Sequence, residues 1–140
     1  MDEKIKDPEK VIADSSRVID RGGLWSAIAY TNRGVTLLLE KKEYDRAIDD
    51  FNKTIELTPR NAPAYLGRGV AFVYKGQFNR ALEDISRSIE LNPKVSKAYD
   101  IRGLVYVQMG NPMAIADFQK ACDMGLESGC SNWKQSLKGR

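Results

Sequence analysis

The side chains that most often carry catalysis or bind metal ions are scarce in this chain. None of its 140 residues is histidine, so the commonest general base and the commonest metal ligand are both missing. The two cysteines, Cys122 and Cys130, cannot complete a structural zinc site without histidine, and they lack the Cys-x-x-Cys spacing of redox enzymes. We therefore expect no metal ion, no cofactor and no catalytic residue.

The carboxylates offer no better candidate for catalysis. Asp49 precedes Lys53 by four residues, which is the spacing of opposite charges on solvent-exposed helix faces. The sequence also lacks a glycine-rich phosphate-binding loop and a G-x-S-x-G nucleophile motif. The protein is predicted not to be an enzyme, and an enzyme of unfamiliar type, which would need a polar pocket, is the second alternative.

The composition narrows the classes of partner. Apolar residues form 42% of the chain and charged residues 29%, a balance typical of soluble globular proteins. The net charge is only +3, and basic residues are interleaved with acidic ones, whereas nucleic-acid binding usually needs a concentrated basic face. No apolar run approaches the roughly 20 residues that a membrane-spanning helix needs. We expect neither nucleic acid nor a membrane span.

A six-residue pattern occurs three times and organises the chain. Tyrosine, two variable positions, arginine, glycine and an aliphatic residue begin at Tyr30, Tyr65 and Tyr99, in steps of 35 and 34 residues. A period of this length is typical of stacked supersecondary units. Small residues recur within each pattern and after it, which indicates that two helix backbones approach closely there. These are Gly34, Gly69 and Gly103, followed by Ala47, Ala81 and Ala114.

Each unit is predicted to contain two helices joined by a short turn. Apolar residues recur at helical spacing in both halves, and short turns force neighbouring helices to run antiparallel. Pro59 and Pro93 mark ends of second helices. Asp7–Pro8 and Asn111–Pro112 each predict an N-cap residue followed by proline at the first helical position.

These units resemble tetratricopeptide repeats, whose 34-residue helix-turn-helix carries glycine, alanine and proline in the same order. The resemblance implies an all-α fold, a right-handed α-solenoid of helix-turn-helix units with a C-terminal capping helix. It implies a single domain over 1–140. Its predicted parts are an N-terminal half-repeat helix (7–23), three repeats (24–60, 61–94 and 95–125) and the capping helix (126–140).

Three arginines depart from the tetratricopeptide pattern. An aliphatic residue usually precedes the glycine, and an aromatic one precedes the phenylalanine place of the second helix. This chain has arginine at the first place and aspartate at the second in every unit, and a guanidinium can bind a carboxylate through two parallel hydrogen bonds. We interpret them as structural ion pairs, and three stacked arginines that bind an acidic ligand are the alternative. The pairs are Arg33 with Asp50, Arg68 with Asp84, and Arg102 with Asp117.

The Cys-x7-Cys spacing of Cys122 and Cys130 resembles the Sel1-like branch of repeat proteins. That resemblance implies a disulfide between adjacent helices; two small buried thiols are the equally weighted alternative. A disulfide would indicate an exported protein, because the cytosol keeps thiols reduced. The N-terminus, "MDEKIKDPEK", lacks the apolar region of a secretory signal. The protein is therefore expected in the cytoplasm if Met1 is its native start, or in the periplasm if a signal was removed.

The resemblance also implies where a ligand binds. In tetratricopeptide arrays the first helix of each unit lines a concave surface that receives an extended or helical peptide. The expected ligand-binding groove consists of Ile28, Thr31, Asn32, Val35, Leu38, Leu66, Gly67, Val70, Val73, Tyr74, Lys97, Asp100, Ile101, Leu104 and Gln108. Four polar members, Asn32, Lys97, Asp100 and Gln108, are expected to fix the register of the ligand by hydrogen bonds.

One branch of the family binds the C-terminal carboxylate of chaperones through lysine, asparagine and arginine side chains. The matching places here hold Thr31, Val35, Gly67, Lys97 and Ile101. Only Lys97 agrees, which argues against such a carboxylate clamp.

The expected groove is unusually apolar, and large apolar patches normally mark interaction sites. The predicted function is a non-catalytic protein–protein interaction module that binds a peptide or helix of a partner. The first alternative is a self-associating scaffold, a homo-oligomer whose groove is filled by another copy or by the chain's own segment 1–12. A further possibility is that superhelical curvature closes the groove and turns these side chains into ordinary core.

Overall fold

The computed structural model of the protein describes residues 7–139, and its regular structure there is entirely α-helical. The eight helices of this range follow one another through short connections. They are α1 (Pro8–Arg21), α2 (Ser26–Leu39), α3 (Tyr44–Leu57), α4 (Ala62–Tyr74), α5 (Phe78–Leu91), α6 (Ser96–Gln108), α7 (Ala114–Asp123) and α8 (Glu127–Lys138). The predicted all-α solenoid is confirmed.

Consecutive helices pack against each other throughout, and the helices form two rows. Contacts between α2 and α4, α4 and α6, and α6 and α8 place these four helices side by side in an inner row. The other four, α1, α3, α5 and α7, form the outer row and separate the successive inner helices along the chain. The inner row therefore presents the first helix of every unit on one face of the solenoid.

The N-cap of α1 was predicted correctly at Asp7, but the prediction of Asn111 as the N-cap of α7 was wrong. Asp7 is the N-cap of α1, its side chain accepts a hydrogen bond from the Glu9 amide (3.1 Å), and proline opens the helix. Helix α7 begins later than predicted, at Ala114, because residues 111–113 form a tighter turn. In that turn the Ala114 amide donates to the Asn111 carbonyl three residues back (3.3 Å), and the Asn111 side chain accepts from the Met113 amide (2.9 Å).

Glycines of the inner helices allow a large side chain to lie directly against a helix backbone. Phe51 of α3 is fully buried between α2 and α4. A Cβ atom would lie 2.9 Å from its ring at Gly34 and 2.4 Å from it at Gly67, closer than real Cβ contacts come. Phe118 has the same relation to Gly103, at 2.5 Å. Glycine is therefore needed at these places to let the helices approach.

Candidate ligand-binding groove

Helices α2, α4 and α6 together line an open groove with a volume of about 830 Å³. Phe78, the first residue of α5, contributes a ring to the same groove. The full lining consists of Val35, Leu38, Leu39, Pro63, Leu66, Gly67, Val70, Val73, Tyr74, Phe78, Lys97, Ile101, Leu104, Val105 and Gln108. We call these residues the inner groove.

Most of the residues expected in a ligand site meet in the inner groove. These are Val35, Leu38, Leu66, Gly67, Val70, Val73, Tyr74, Lys97, Ile101, Leu104 and Gln108. Leu38 is almost completely buried, so a ligand could touch only its edge. The ring of Tyr74 is held in place by Tyr44 of α3, since the two rings stack with centroids 5.0 Å apart.

Four residues expected in the site do not line the inner groove. Ile28 and Asn32 are exposed on α2 outside it. Thr31 turns its hydroxyl toward α3, where it lies 3.0 Å from the Thr54 hydroxyl, and it also donates to the Ala27 carbonyl.

Asp100 is the fourth, and its carboxylate faces α8 instead of the groove. Its carboxylate is buried beneath α8, where it accepts hydrogen bonds from the Ser128 hydroxyl and the Asn132 side-chain amide, both at 2.8 Å. Helix α8 therefore occupies the space beside α6 that a ligand would have needed to reach Asp100. A buried carboxylate needs such partners, so the contact also fixes the position of α8.

Four groove residues were missed by the sequence reasoning: Leu39, Pro63, Phe78 and Val105. Leu39, Pro63 and Val105 lie on first helices, and the helical spacing of Leu39 after Val35 was the available signal. Phe78 belongs to a second helix, from which no groove residue was expected.

The inner groove carries little charge. Lys97, at the start of α6, is the single charged side chain of its lining, and Gln108 stands at the other end of the same helix. A helix rises about 1.5 Å per residue, so the backbones of these two residues are about 16 Å apart along the helix axis. The apolar floor between them is therefore bounded by a cation at one end and an amide at the other.

The three arginines of the repeated pattern form two-pronged ion pairs. In each pair the Nε and one Nη of the arginine donate to the two oxygens of the aspartate, with every distance 2.8 Å. The aspartates Asp50, Asp84 and Asp117 are buried. Each arginine also lies over the tyrosine three residues before it, with 5.6–5.8 Å between the guanidinium carbon and the ring centroid.

The remaining Nη of each arginine reaches back to the preceding outer helix. Arg33 donates to Ser16 of α1 (3.0 Å), and Arg68 donates to Asn52 of α3 (2.9 Å). Arg102 completes the series by donating to Ser86 of α5 (3.2 Å). Each arginine therefore joins three helices, two of its own unit and one of the unit before. This link between units was not anticipated from the sequence.

These contacts keep the guanidinium groups charged and occupied. The hydrogen bond to its aspartate raises the pKa of each of the three arginines above the ordinary arginine value, although burial acts in the opposite direction. Their donors point at protein oxygens, and none of the three lines the inner groove. The arginines are placed to hold helices together.

Cys122 of α7 and Cys130 of α8 are joined by a disulfide. The two helices also approach closely beside it, because a Cβ atom on Gly129 would lie 2.6 Å from the Ala121 side chain. The bond therefore ties α8 to the last outer helix at the point where Asp100 binds α8 from the inner row.

Two further features bear on function. Across residues 7–139, no cluster of three or more cysteine, aspartate or glutamate side chains is arranged to hold a metal ion. Over the same described range, no helix combines the length and the hydrophobicity that crossing a membrane requires.

Comparison with known proteins identifies the repeats and relates the fold to solved structures. The tetratricopeptide repeat family model matches residues 27–61 and 62–95. No curated protein sequence matches the chain closely enough to add a relative. The solved structure of MamA superposes with a TM-score of 0.77 at 21% sequence identity, covering 99% of this chain and 94% of MamA.

Two solved tetratricopeptide domains match as well. The Arabidopsis OM64 domain has a TM-score of 0.76 at 23% identity, and the match covers 81% of this chain and 96% of that one. The second domain of human RPAP3, solved in complex with the HSP70 peptide SGPTIEEVD, has a TM-score of 0.72 at 24% identity, with 79% and 94% covered. At these identities the likeness establishes the shared fold. Residues 27–95 of this chain are therefore tetratricopeptide repeats, set within an all-α solenoid of the tetratricopeptide type.

Proposed function

We propose that the protein is a non-catalytic protein-interaction module that binds the apolar face of a partner's peptide or helix in the inner groove. The observation that carries this proposal is the lining of the groove, where fourteen of fifteen side chains are uncharged and most are aliphatic or aromatic. Concave apolar surfaces of this kind are typical of peptide and helix recognition.

The energetic case rests on side chains that stay partly exposed. Leu39 and Leu104 are 55% and 46% exposed. Full burial of a leucine contributes about 1.5–3 kcal/mol, so covering each of these would contribute about 1 kcal/mol. Leu66, Val70 and Ile101 are partly buried already and would add smaller amounts. Several such contacts together can support binding once the entropic cost of association is met.

The charge of the groove favours an apolar ligand over an acidic one. The peptide in the human RPAP3 complex, SGPTIEEVD, carries three carboxylate side chains in its last four residues. The inner groove offers a single cation, Lys97, and the three arginines of the repeated pattern are bound to aspartates elsewhere. We propose that Lys97 and Gln108 set the direction of a mainly apolar ligand rather than clamp an acidic terminus.

A selection experiment tests the proposal. Random peptides displayed on phage are selected on the immobilised protein, and the best sequences are synthesised and measured by calorimetry. We expect apolar sequences whose binding weakens at least tenfold in Leu66→Asp and Leu104→Asp variants. Leu57→Asp is the matched control for Leu104→Asp, because Leu57 is as exposed as Leu104 but lies outside the groove. Equal binding by all three variants would contradict a groove-bound ligand.

The remaining assignments are proposed on the same basis. We propose a single domain over 1–140, with a half-repeat helix at 7–23, repeats at 24–60, 61–94 and 95–125, and a capping helix at 126–140. The Cys122–Cys130 disulfide is interpreted as the Sel1-like feature, which fastens a capping helix in an oxidising compartment. We do not propose nucleic acid as a partner. Binding of the protein to nucleic acid with an affinity that falls steeply as salt is added would contradict this expectation. A groove covered by the chain's own segment 1–12 is an alternative whose first six residues lie outside the described range.

A further inference from the structure

One face of α2 is apolar and lies open to solvent. Five residues spaced alternately by three and four form it, and we call them the α2 stripe: Trp25, Ile28, Asn32, Val35 and Leu39. At 3.6 residues per turn they fall within an arc of about 80°. The four apolar members are 69%, 51%, 38% and 55% exposed in chain order, and Asn32 is exposed too. Trp25 precedes α2 with helical backbone angles, so it continues the same face.

The other repeats indicate what this face normally does. The place of Asn32 is taken by Gly67 in the second unit and by Ile101 in the third. Gly67 lies against the Phe51 ring of the unit before it, and Ile101 packs on a buried cluster that contains residues of α5. This face of an inner helix therefore packs toward the preceding unit. In the first unit the described range supplies only the outer helix α1 on that side, and the face stays uncovered.

The α2 stripe is self-complementary. Asn32 stands at its centre, Ile28 and Val35 flank it at nearly equal distances, and Trp25 and Leu39 form the two ends. Two such helices packed antiparallel about a two-fold axis would place Asn32 opposite Asn32 of the second copy. A carboxamide both donates and accepts hydrogen bonds, so the two side chains can pair reciprocally. Two-fold contacts of this kind use the same patch on both subunits.

The end residues favour the antiparallel arrangement over the parallel one. Antiparallel packing sets Trp25 against Leu39 of the second copy and Ile28 against Val35, which pairs a large side chain with a smaller one at each level. Parallel packing would place two tryptophans face to face at one end and two leucines at the other. The antiparallel arrangement also opposes the helix dipoles, which is the favourable orientation.

We propose that the α2 stripe is a dimerisation surface whose partner is α2 of a second copy of this chain, packed antiparallel with Asn32 on the two-fold axis. A single polar residue within an apolar helix seam fixes register in coiled coils at some cost in stability, and Asn32 has that position here. The surface shares only Val35 and Leu39 with the inner groove. The dimerisation proposal therefore does not rest on peptide binding. Either proposal can be refuted while the other stands.

Disulfide trapping tests the position of the axis. The two native cysteines are bonded to each other, so a cysteine introduced at position 32 carries the only unpaired thiol of the variant. With diamide as the oxidant, Asn32→Cys should give a covalent dimer rapidly. Asn79→Cys, on an exposed place of α5, is the matched control and should stay monomeric on a denaturing gel. Equal trapping of the two variants, or none in either, would overturn the proposal.

A second trapping experiment tests the direction of packing. A mixture of Ile28→Cys and Val35→Cys proteins, one carrying an affinity tag, should form the mixed disulfide in preference to either symmetric one. Efficient symmetric trapping of Ile28→Cys by itself would indicate parallel packing and overturn the antiparallel arrangement.

Sedimentation equilibrium then tests the association without any cross-link. The unmodified protein should be dimeric at micromolar concentration. Asn32→Lys places two like charges opposite each other and should weaken the dimer at least tenfold, whereas Asn79→Lys should leave it unchanged. Far-UV circular dichroism verifies that both variants keep their helix content. A monomeric unmodified protein, or a dimer that Asn32→Lys leaves intact, would overturn the proposal.

Discussion

The close approach of Gly67 to Phe51 predicts how a single methyl group would affect stability. Gly67 of α4 faces the ring of Phe51, and a Cβ atom there would lie 2.4, 2.7 and 2.9 Å from the ring atoms Cζ, Cε1 and Cε2. Phe51 is fully buried, so its ring cannot move out into solvent. In Gly67→Ala the ring or the α4 backbone must therefore shift by about 1 Å to restore an ordinary contact.

The size of the effect follows from two opposing contributions. Overpacking a tight core costs about 1–3 kcal/mol, and three ring atoms at these distances place this site in the upper part of that range. Replacing glycine by alanine inside a helix contributes about 1 kcal/mol in the stabilising direction. We expect Gly67→Ala to lower the free energy of unfolding by about 1–2 kcal/mol, measured by urea denaturation followed by circular dichroism.

A double-mutant cycle separates the clash from other causes. Leucine lacks the Cζ, Cε1 and Cε2 atoms, so Phe51→Leu removes the three atoms nearest to the added methyl group. Phe51→Leu alone should cost about 1–2 kcal/mol. In that background Gly67→Ala should be neutral or stabilising by up to about 1 kcal/mol, which gives a coupling energy of about 1–3 kcal/mol. If Gly67→Ala costs the same in both backgrounds, the close approach is not the reason for glycine at this place.

Two further predictions concern the ion pairs and the disulfide. Arg68→Met leaves the buried Asp84 without its partner and should cost about 2–4 kcal/mol, whereas Arg68→Met with Asp84→Leu should recover most of that loss; a double variant as unstable as the single one would contradict the pairing argument. The hydrogen bond to Asp84 raises the pKa of Arg68, so the ion pair's contribution to stability is fully present below the unfolded-state pKa of the arginine. This contribution is lost only as pH rises through the still higher folded-state pKa. Urea denaturation from neutral to mildly alkaline pH should therefore find the contribution unchanged. Replacing Cys122 and Cys130 together by serine opens a nine-residue loop and should cost about 2.5 kcal/mol by the loop-entropy relation. Adding a thiol reductant to the unmodified protein should reproduce that loss, and an unchanged urea midpoint in both cases would refute the assignment.

The repeats could be predicted from the sequence because the residues that pack the two helices of a unit lie within that unit. The tyrosine, arginine and glycine of the pattern all lie where the first helix of a unit packs against its second helix. The arginine pairs with aspartate and lies over the tyrosine ring, and the glycine admits a large side chain from the second helix. These constraints act within one unit and repeat at a fixed period, so they are visible in a single sequence.

Contacts between elements of different units were harder to predict. Asp100 has the helical phase of a groove residue, and helical phase does not say which neighbouring helix will cover it; here α8 does. Phe78 enters the groove from a second helix, where the family pattern assigns no ligand contact. Each arginine also binds a polar side chain of the preceding outer helix, at position 16, 52 or 86. The polar residues at these positions are visible in the sequence, but their role depends on how the units stack.

Mapping a selected peptide onto the protein by NMR shows whether the inner groove receives a ligand. The protein is labelled at isoleucine, leucine and valine methyl groups and titrated with the tightest phage-selected peptide. We predict the largest shift changes at Leu66, Val70, Ile101 and Leu104, with little change at Ile48 and Leu82, which do not line the groove. Changes confined to methyl groups outside the groove, or the failure of any peptide to be selected, would contradict the account.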